Sequence, residues 1–361
     1  MRKAFLFIVA GAGLLAGEVR WAPVPAANFE IDGLPWFREN GGEFWRLPVR
    51  SQAKFTKAVW SLSQDPTGAR IRFRTDANTV AVRLEYPSAP GMKNMHAFGQ
   101  TGVDLYVDGV YWGTATADQE AKPGKIYEHT YFTLSGPRRD REMTLYLALY
   151  KPVKVLAIGV DDDAKISPAH PFARPKPVVF YGTSITQGGC ASRPGMSYQA
   201  IVGRMLDLDH VNLGFSGNGK GEPDVARTVA EIDAQCFVLD FAQNNPDVDS
   251  LAQVYKPFIE TLRASHPDTP IVAITPIYSA REASGPSERL EAMRALIRRV
   301  VAEKIAAGDT HMQLVEGTDL LGPARGDGLV DGTHPNDLGF QWMAEGLAPR
   351  LRKVLGLPAP R

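Results

Sequence analysis

Residues 178–186 run Val178-Val179-Phe180-Tyr181-Gly182-Thr183-Ser184-Ile185-Thr186, a short apolar stretch that stops at a glycine and gives way to hydroxyl residues. A brief apolar run without alternation is the pattern of a strand buried on both faces, as in a parallel sheet. The residues that follow repeat this theme. Helical spacing over Ser197–Leu208 leads to a strand at His210–Phe215, a helix at Pro223–Ile232 and a strand at Phe237–Phe241. A helix over Asp249–Ser265, capped by aspartate, precedes a strand at Ile271–Thr275. A helix at Ser287–Ala307, a strand at Gln313–Glu316 and a last helix at Asn336–Leu355 complete the series. Strand–helix alternation of this length predicts a parallel sheet covered on both faces, with any ligand site at the carboxyl ends of its strands.

Upstream the period changes. Residues 28–168 hold runs such as Arg70-Ile71-Arg72-Phe73-Arg74-Thr75 and Thr79–Tyr86, which alternate polar and apolar, and the strand-forming stretch Thr144–Tyr150. Period-two alternation implies one buried and one wet face. Turn signals separate the runs, and Asp108-Gly109 between Val107 and Val110 predicts a two-residue hairpin. Many short strands and no long helix predict a β-sandwich. Residues 169–176, with two prolines and no periodicity, read as the linker.

Length and composition fit this division. At 361 residues the chain has room for about two domains. Forty basic residues balance forty acidic ones, which leaves no global field to hold nucleic acid or an anionic membrane. Met1-Arg2-Lys3 followed by the apolar run Ala4–Ala16 has the build of a secretory signal peptide over residues 1–17. That run is too short to span a bilayer, so no stable membrane insertion is expected once it is removed, and the mature protein is expected to be periplasmic or secreted. If exported, Cys190 and Cys236 have the option of pairing, but Cys236 opens an apolar run and reads better as a buried thiol.

The loops after the predicted strands carry the reactive side chains: Gly182-Thr183-Ser184-Ile185-Thr186, Gly214–Gly219, Ala242-Gln243-Asn244-Asn245 and Asp331-Gly332-Thr333-His334. All fall on one edge of the sheet. A serine hydroxyl becomes a nucleophile when a base takes its proton. His334 is suited to do so while Asp331 holds its other ring nitrogen. The amides of Ser184 and Gly217 and the side chain of Asn244 supply donors for an oxyanion, and glycine at 217 permits close backbone approach. The remaining histidines, 96, 129, 170, 210, 266 and 311, show no metal-ligand spacing, and no phosphate-binding or dinucleotide glycine motif occurs. No metal or cofactor is therefore expected.

In order and on the expected elements, these segments resemble the blocks of the SGNH/GDSL hydrolase superfamily. The nucleophile block appears as G-T-S-I-T where G-D-S-x-T is usual, and the third as A-Q-N-N where G-x-N-D is usual. Asp331-x-x-His334 matches the last block, and Gly102-Val103-Asp104-Leu105-Tyr106 resembles the G-x-D-L-Y motif of a β-sandwich that precedes one SGNH subgroup. The resemblance covers about residues 30–355. It implies a flavodoxin-like, doubly wound sheet over residues 177–357 behind a β-sandwich. It also implies a secreted serine esterase that removes short acyl groups, acetate foremost, from carbohydrate. An acyltransferase with the same triad, or a carbohydrate-binding protein with an inert hydrolase half, is the alternative. Asp104 and Tyr106 are expected to hold their hairpin together. The sandwich is expected either to form a wall of the site through residues 94–112, with His96, Gln100 and Trp112 as substrate contacts, or to act as a rigid spacer that only covers apolar surface on the catalytic domain.

Overall fold

The computed structural model describes residues 19–359; the expected signal peptide lies outside them. The first half forms two antiparallel sheets from β1 (Val19–Pro23), β2 (Glu30–Asp32), β3 (Arg70–Thr75), β4 (Thr79–Glu85), β5 (Val103–Val107), β6 (Val110–Ala115), β7 (Ile126–Thr133), β8 (Arg141–Tyr146), β9 (Lys154–Asp161) and β10 (Ile166–Pro168). One sheet runs β1-β9-β4-β7 and the other β10-β3-β8-β5-β6, with β2 on β3. Side chains such as Phe73, Val82, Leu105, Leu145 and Ile158 fill the space between them. The Asp108-Gly109 turn joins β5 to β6 as expected. Short helices α1 (Lys57–Ser63) and α2 (Ala97–Thr101) interrupt the strands.

The second half is a five-stranded parallel sheet of β11 (Val178–Gly182), β12 (His210–Gly214), β13 (Cys236–Asp240), β14 (Ile271–Ile274) and β15 (Met312–Val315), in the order β12-β11-β13-β14-β15. Its helices are α3 (Ser184–Gln187), α4 (Tyr198–Leu206), α5 (Pro223–Val229), α6 (Val248–Ser265), α7 (Glu288–Ala306), α8 (Gly317–Leu320) and α9 (Asp337–Val354). Val179, Tyr181 and Leu239 face α5, α6 and α7, while Val178, Phe180 and Val238 face α4 and α9. Burial on both faces is why the central strands β11, β13 and β14 are almost wholly apolar, whereas the edge strands carry His210 and Asn212 in β12 and exposed Gln313 in β15. This is the doubly wound sheet that the sequence pattern predicts. Asp247 rather than Asp249 caps α6, its carboxylate accepting from Ser250 N at 2.8 Å. Among the described residues no helix is long and apolar enough to cross a membrane.

Three expectations about the first half change. Strand β1 begins at Val19 and pairs with β9, so the sandwich starts ahead of residue 28. The strand expected over Thr144–Tyr150 ends at Tyr146, and the amides of Leu149 and Tyr150 turn instead to the carbonyls of Gly99 and Gln100 at the end of α2. The polar face of β3 is not wet. Arg70 and Arg72 are buried; Arg70 pairs with Asp209 and bonds His210, and Arg72 pairs with Asp32 at 2.7 Å. The alternation is real, but Arg70 on the second face lies against the other domain and Arg72 under Asp32 and the linker residues His170 and Phe172, while Arg74 stays partly exposed.

That seam is long and largely polar. Trp36, Leu47 and Val59 join the core on the α5–α7 face of the parallel sheet. Arg46, with no exposed surface, donates to the carbonyls of Asn212 at 3.1 Å and Gly214 at 2.6 Å. Asp104, equally buried, accepts from Thr114 across its hairpin at 2.7 Å, and also from Gly195 N at 2.8 Å and Arg193 at 3.0 Å on the far side of the seam. Tyr106 bonds Arg193 as well, at 2.7 Å. The G-x-D-L-Y residues thus clamp two domains as well as a hairpin. Removing one partner of a buried ion pair strands the other charge, at a cost of about 3–5 kcal/mol. Asp104→Ala is expected to lose stability of that order in urea unfolding at pH 7. A loss below about 1 kcal/mol, the range of an exposed pair, would contradict the clamp.

Candidate active site

Strand β11 delivers Ser184 to the carboxyl edge of the sheet. Thr183 caps α3: its hydroxyl accepts from Ile185 N at 3.2 Å, and its own amide donates to Thr186 Oγ1 at 3.2 Å. Threonine in place of the usual acid therefore does the capping, and the Ser184 hydroxyl is left for other work. Its Oγ lies 2.8 Å from His334 Nε2. His334 Nδ1 lies 2.8 Å from Asp331 Oδ2, so the structure brings the three residues into one hydrogen-bonded chain.

Asp331 sits in a tight turn before α9. Its Oδ1 accepts from the amides of Thr333 at 3.1 Å and His334 at 2.9 Å, and its Oδ2 also accepts from Asn94 at 2.9 Å. Partial burial works against its charge, but the His334 amide, the Asn94 side chain and the His334 imidazole outweigh it and hold the carboxyl well below the usual range. These donors favour the ionised carboxylate, which is able to orient an imidazole. Its neighbour Cys190 behaves oppositely: desolvation, then the Asp331 charge, push that thiol up to about 12. Cys190 and Cys236 are both buried and unpaired.

The donors expected for an oxyanion lie just after β11, β12 and β13, with one qualification. The Ser184 amide is in the first turn of α3, where no helical acceptor exists. Gly217 lies exposed on the loop after β12 with φ +67°, a backbone that favours glycine, and a side chain there would meet open space. Gln187 ties this loop to α3 by accepting from Ser216 N at 2.9 Å. Asn244 reaches the same loop, but its amide donates to the carbonyls of Phe215 at 3.2 Å and Gly219 at 3.4 Å rather than into free space.

The expected sandwich contacts divide three ways. His96 is exposed and lines a hollow of about 340 Å³ with Asn94, Cys190, Ser192, Val330 and Leu338, beside Asp331. Gln100 is not a substrate contact. It is buried, and its carboxamide is consumed by its own loop, accepting from the amides of Gly91 and Met92 and donating to the carbonyls of Met92 and Met95. Trp112 is exposed, and among the described residues no contact ties it to the Ser184–His334–Asp331 chain. It packs on Phe132 of β7, while Tyr111, on the alternate face of β6, lies against Arg193. Two residues were missed from sequence, Asn94 and Tyr150, whose hydroxyl donates to the Ser184 carbonyl at 3.1 Å. The polar interruption Lys93–His96 between strand patterns is the one signal that pointed toward Asn94.

Among the described residues one group of side chains has the proximity of metal ligands: Cys190, Asp331 and His334, with ligand atoms within 4.8 Å of one another. The imidazole is engaged on both nitrogens and the thiol stays protonated, so the set fits proton transfer better than ion binding. Ester-cleaving activity is expected to survive exhaustive dialysis against EDTA; loss that zinc alone restores would overturn this.

Beneath the site Asp240 is wholly buried, and desolvation raises its carboxyl to about 7 despite hydrogen bonds from Tyr198 at 3.0 Å and Thr186 at 3.2 Å. A carboxyl with a raised folded value stabilises the fold below its unfolded value, and this contribution is lost as pH rises through about 7. Asp240→Asn is expected to narrow the gap in melting temperature between pH 5 and pH 8. An unchanged gap would mean that Asp240 is ionised in the folded protein.

Comparison with known proteins agrees with this architecture. The model of the GDSL-like lipase/acylhydrolase family matches residues 175–352, and that of the N-terminus of SGNH-hydrolase-type esterases matches residues 19–166. A GDSL-like lipase from Bacteroides ovatus ATCC 8483 is 31% identical with a TM-score of 0.83, over 95% of this chain and 100% of that one. A salicylyl-acyltransferase from a tetracycline biosynthetic pathway has 23% identity and a TM-score of 0.79, over 95% and 99% of the two chains. A family two carbohydrate esterase from Clostridium thermocellum, in complex with cellohexaose, has 18% identity and a TM-score of 0.62, over 80% and 93%. These last two share the fold. No curated protein matches the chain.

Proposed function

The chain belongs to the GDSL-like lipase and acylhydrolase family, and from that membership we propose that it is an exported serine esterase which removes short acyl groups, acetate foremost, from carbohydrate. The observation that carries this reading is the unbroken chain Ser184 Oγ–His334 Nε2 and His334 Nδ1–Asp331 Oδ2, both links 2.8 Å.

The chemistry follows from that chain. Ser184 Oγ attacks the ester carbonyl carbon as its proton passes to His334 Nε2. The ionised Asp331 stabilises the imidazolium that forms. The carbon–oxygen bond to the alcohol breaks, and the departing oxygen takes the proton from Nε2. Water then attacks the acyl-serine, giving a proton to Nε2, and the acid leaves as Ser184 regains its hydrogen. In this reading the amides of Ser184 and Gly217 donate to the developing oxyanion. Asn244 joins them by exchanging one of its two long bonds to loop carbonyls for a charge-assisted one.

The carbohydrate assignment draws on an open site, with the side chains of His334 and Asp331 about a quarter to a third exposed, and on the likeness in fold to carbohydrate esterases. Export draws on residues 1–17 and is checked by sequencing the amino terminus of the secreted protein. The likeness in fold to an acyltransferase keeps a second acceptor in view: an enzyme of that kind would pass the acyl group to an added alcohol in preference to water.

A panel of acetylated sugars and p-nitrophenyl esters tests the assignment. Ser184→Ala and His334→Ala are each expected to lower kcat by roughly 10⁴ or more without unfolding the protein. Residual rates within tenfold of wild type would sink the triad. Asn244→Ala is expected to lower kcat by ~10²–10³ with KM nearly unchanged. An effect confined to KM would assign Asn244 to shaping the loop.

A further inference from the structure

The first domain touches both ends of the hydrogen-bonded chain, and both contacts spring from one place. Gln100 is the last residue but one of α2, buried in the sandwich half. Its side chain makes four bonds with residues 91–95 and so moulds the loop that holds Asn94 against Asp331. Its carbonyl accepts from Tyr150 N at 3.2 Å, and the Tyr150 hydroxyl donates to the carbonyl of Ser184 at 3.1 Å. The register of this patch against the catalytic domain is tight. A side chain on Gly99 would lie 2.2 Å from the Ala191 carbonyl.

The carboxylate of Asp331 gains most from this. It stands on an exposed turn, and two of its four hydrogen bonds come from the backbone of that turn. The third comes from His334. The fourth, from Asn94 at 2.9 Å, falls on the same oxygen that faces the imidazole and is the one bond among them to come from the other domain. The backbone amides hold Oδ1, and Asn94 gives Oδ2, the oxygen beside Nδ1, a second partner that keeps it turned toward the imidazole. Without it, water competes for Oδ2.

Resting on the esterase reading, we propose that the sandwich domain completes the catalytic triad, with Asn94 as a positioning residue that orients Asp331. The N-terminal domain is thus part of the catalytic machinery rather than a spacer or a separate sugar-binding module. The active site exists only where both domains are docked.

The test uses the whole chain with Asn94→Ala and Asn94→Asp. It follows hydrolysis of p-nitrophenyl acetate and, independently of substrate choice, the rate at which a fluorophosphonate labels Ser184. A hydrogen bond to a charged group supports an expected fall of ~10–100-fold in kcat and in labelling rate for Asn94→Ala, with KM within about twofold and an unchanged melting temperature. Asn94→Asp sets a second carboxylate against Asp331. It is expected to move the acid limb of the kcat/KM–pH profile to higher pH, because added negative charge favours the protonated imidazole. The other titratable side chains around Asp331, which are His96, Cys190 and Asp337, are unaltered in both variants. A merely structural asparagine would change melting and leave the pH profile alone. Rates within twofold of wild type for Asn94→Ala, while Ser184→Ala is inactive, would overturn this inference and leave the esterase reading standing. Activity or labelling that survives in Ser184→Ala, or is absent from wild type, would overturn both.

Discussion

Asp104 has no exposed surface, yet its carboxylate carries bonds from Thr114 in its own hairpin and from Gly195 and Arg193 beyond it. A carboxylate in that position has no water to fall back on, so the hairpin and the 193–195 segment cannot slip past each other in the closed seam without leaving buried polar groups unpaired. The constraint propagates. The 193–195 segment precedes α4, and the buried Arg46 holds the carbonyls of β12 from the same half of the chain. A polar seam of this kind, directional and intolerant of slippage, fixes the two domains to within the length of a hydrogen bond. A linker of eight loop residues does not accomplish that by itself.

Fixed docking matters because the reactive groups lie on the edge that the seam borders. Two carboxyls near the sheet, Asp65 and Asp240, are raised to about 7 by desolvation, whereas Asp331 is held low by its donors. Of these three carboxyls, the one favoured as an anion is the one beside the imidazole. Such separation of carboxyl properties by environment is how one chain keeps a structural acid apart from a working one. Asp331 stays partly exposed because its charge is stabilised by donors rather than by a buried countercharge.

The family likeness and the geometry support each other without overlapping. The matched families account for the order of the elements and for a β-rich domain ahead of a parallel sheet. They say nothing of Thr183, which takes over a cap that leaves Ser184 free, or of Asn244, whose amide rests on loop carbonyls. Those departures from the usual blocks are absorbed locally, the first by a capping box and the second by long bonds that a developing negative charge can outbid.

The sequence by itself determined the parallel sheet, five of its helices to within three residues, and the candidate site residues Ser184, Asp331 and His334. Burial on both faces writes an apolar run directly into the chain, and the site residues sit at the ends of those runs, where topology alone brings them together. Only the tertiary structure decided the rest. Arg70 and Arg72 look like the wet face of a strand until the second domain covers the first and Asp32 and the linker cover the other, because alternation records two environments and not what the polar one faces. Gln100 and Trp112 have the chemistry of sugar contacts, but a side chain's type does not say which way its backbone turns it. Asn94 is 237 residues from Asp331 along the chain. A single hydrogen bond over that separation leaves no periodicity, motif or composition behind, and it exists because the fold closes the distance.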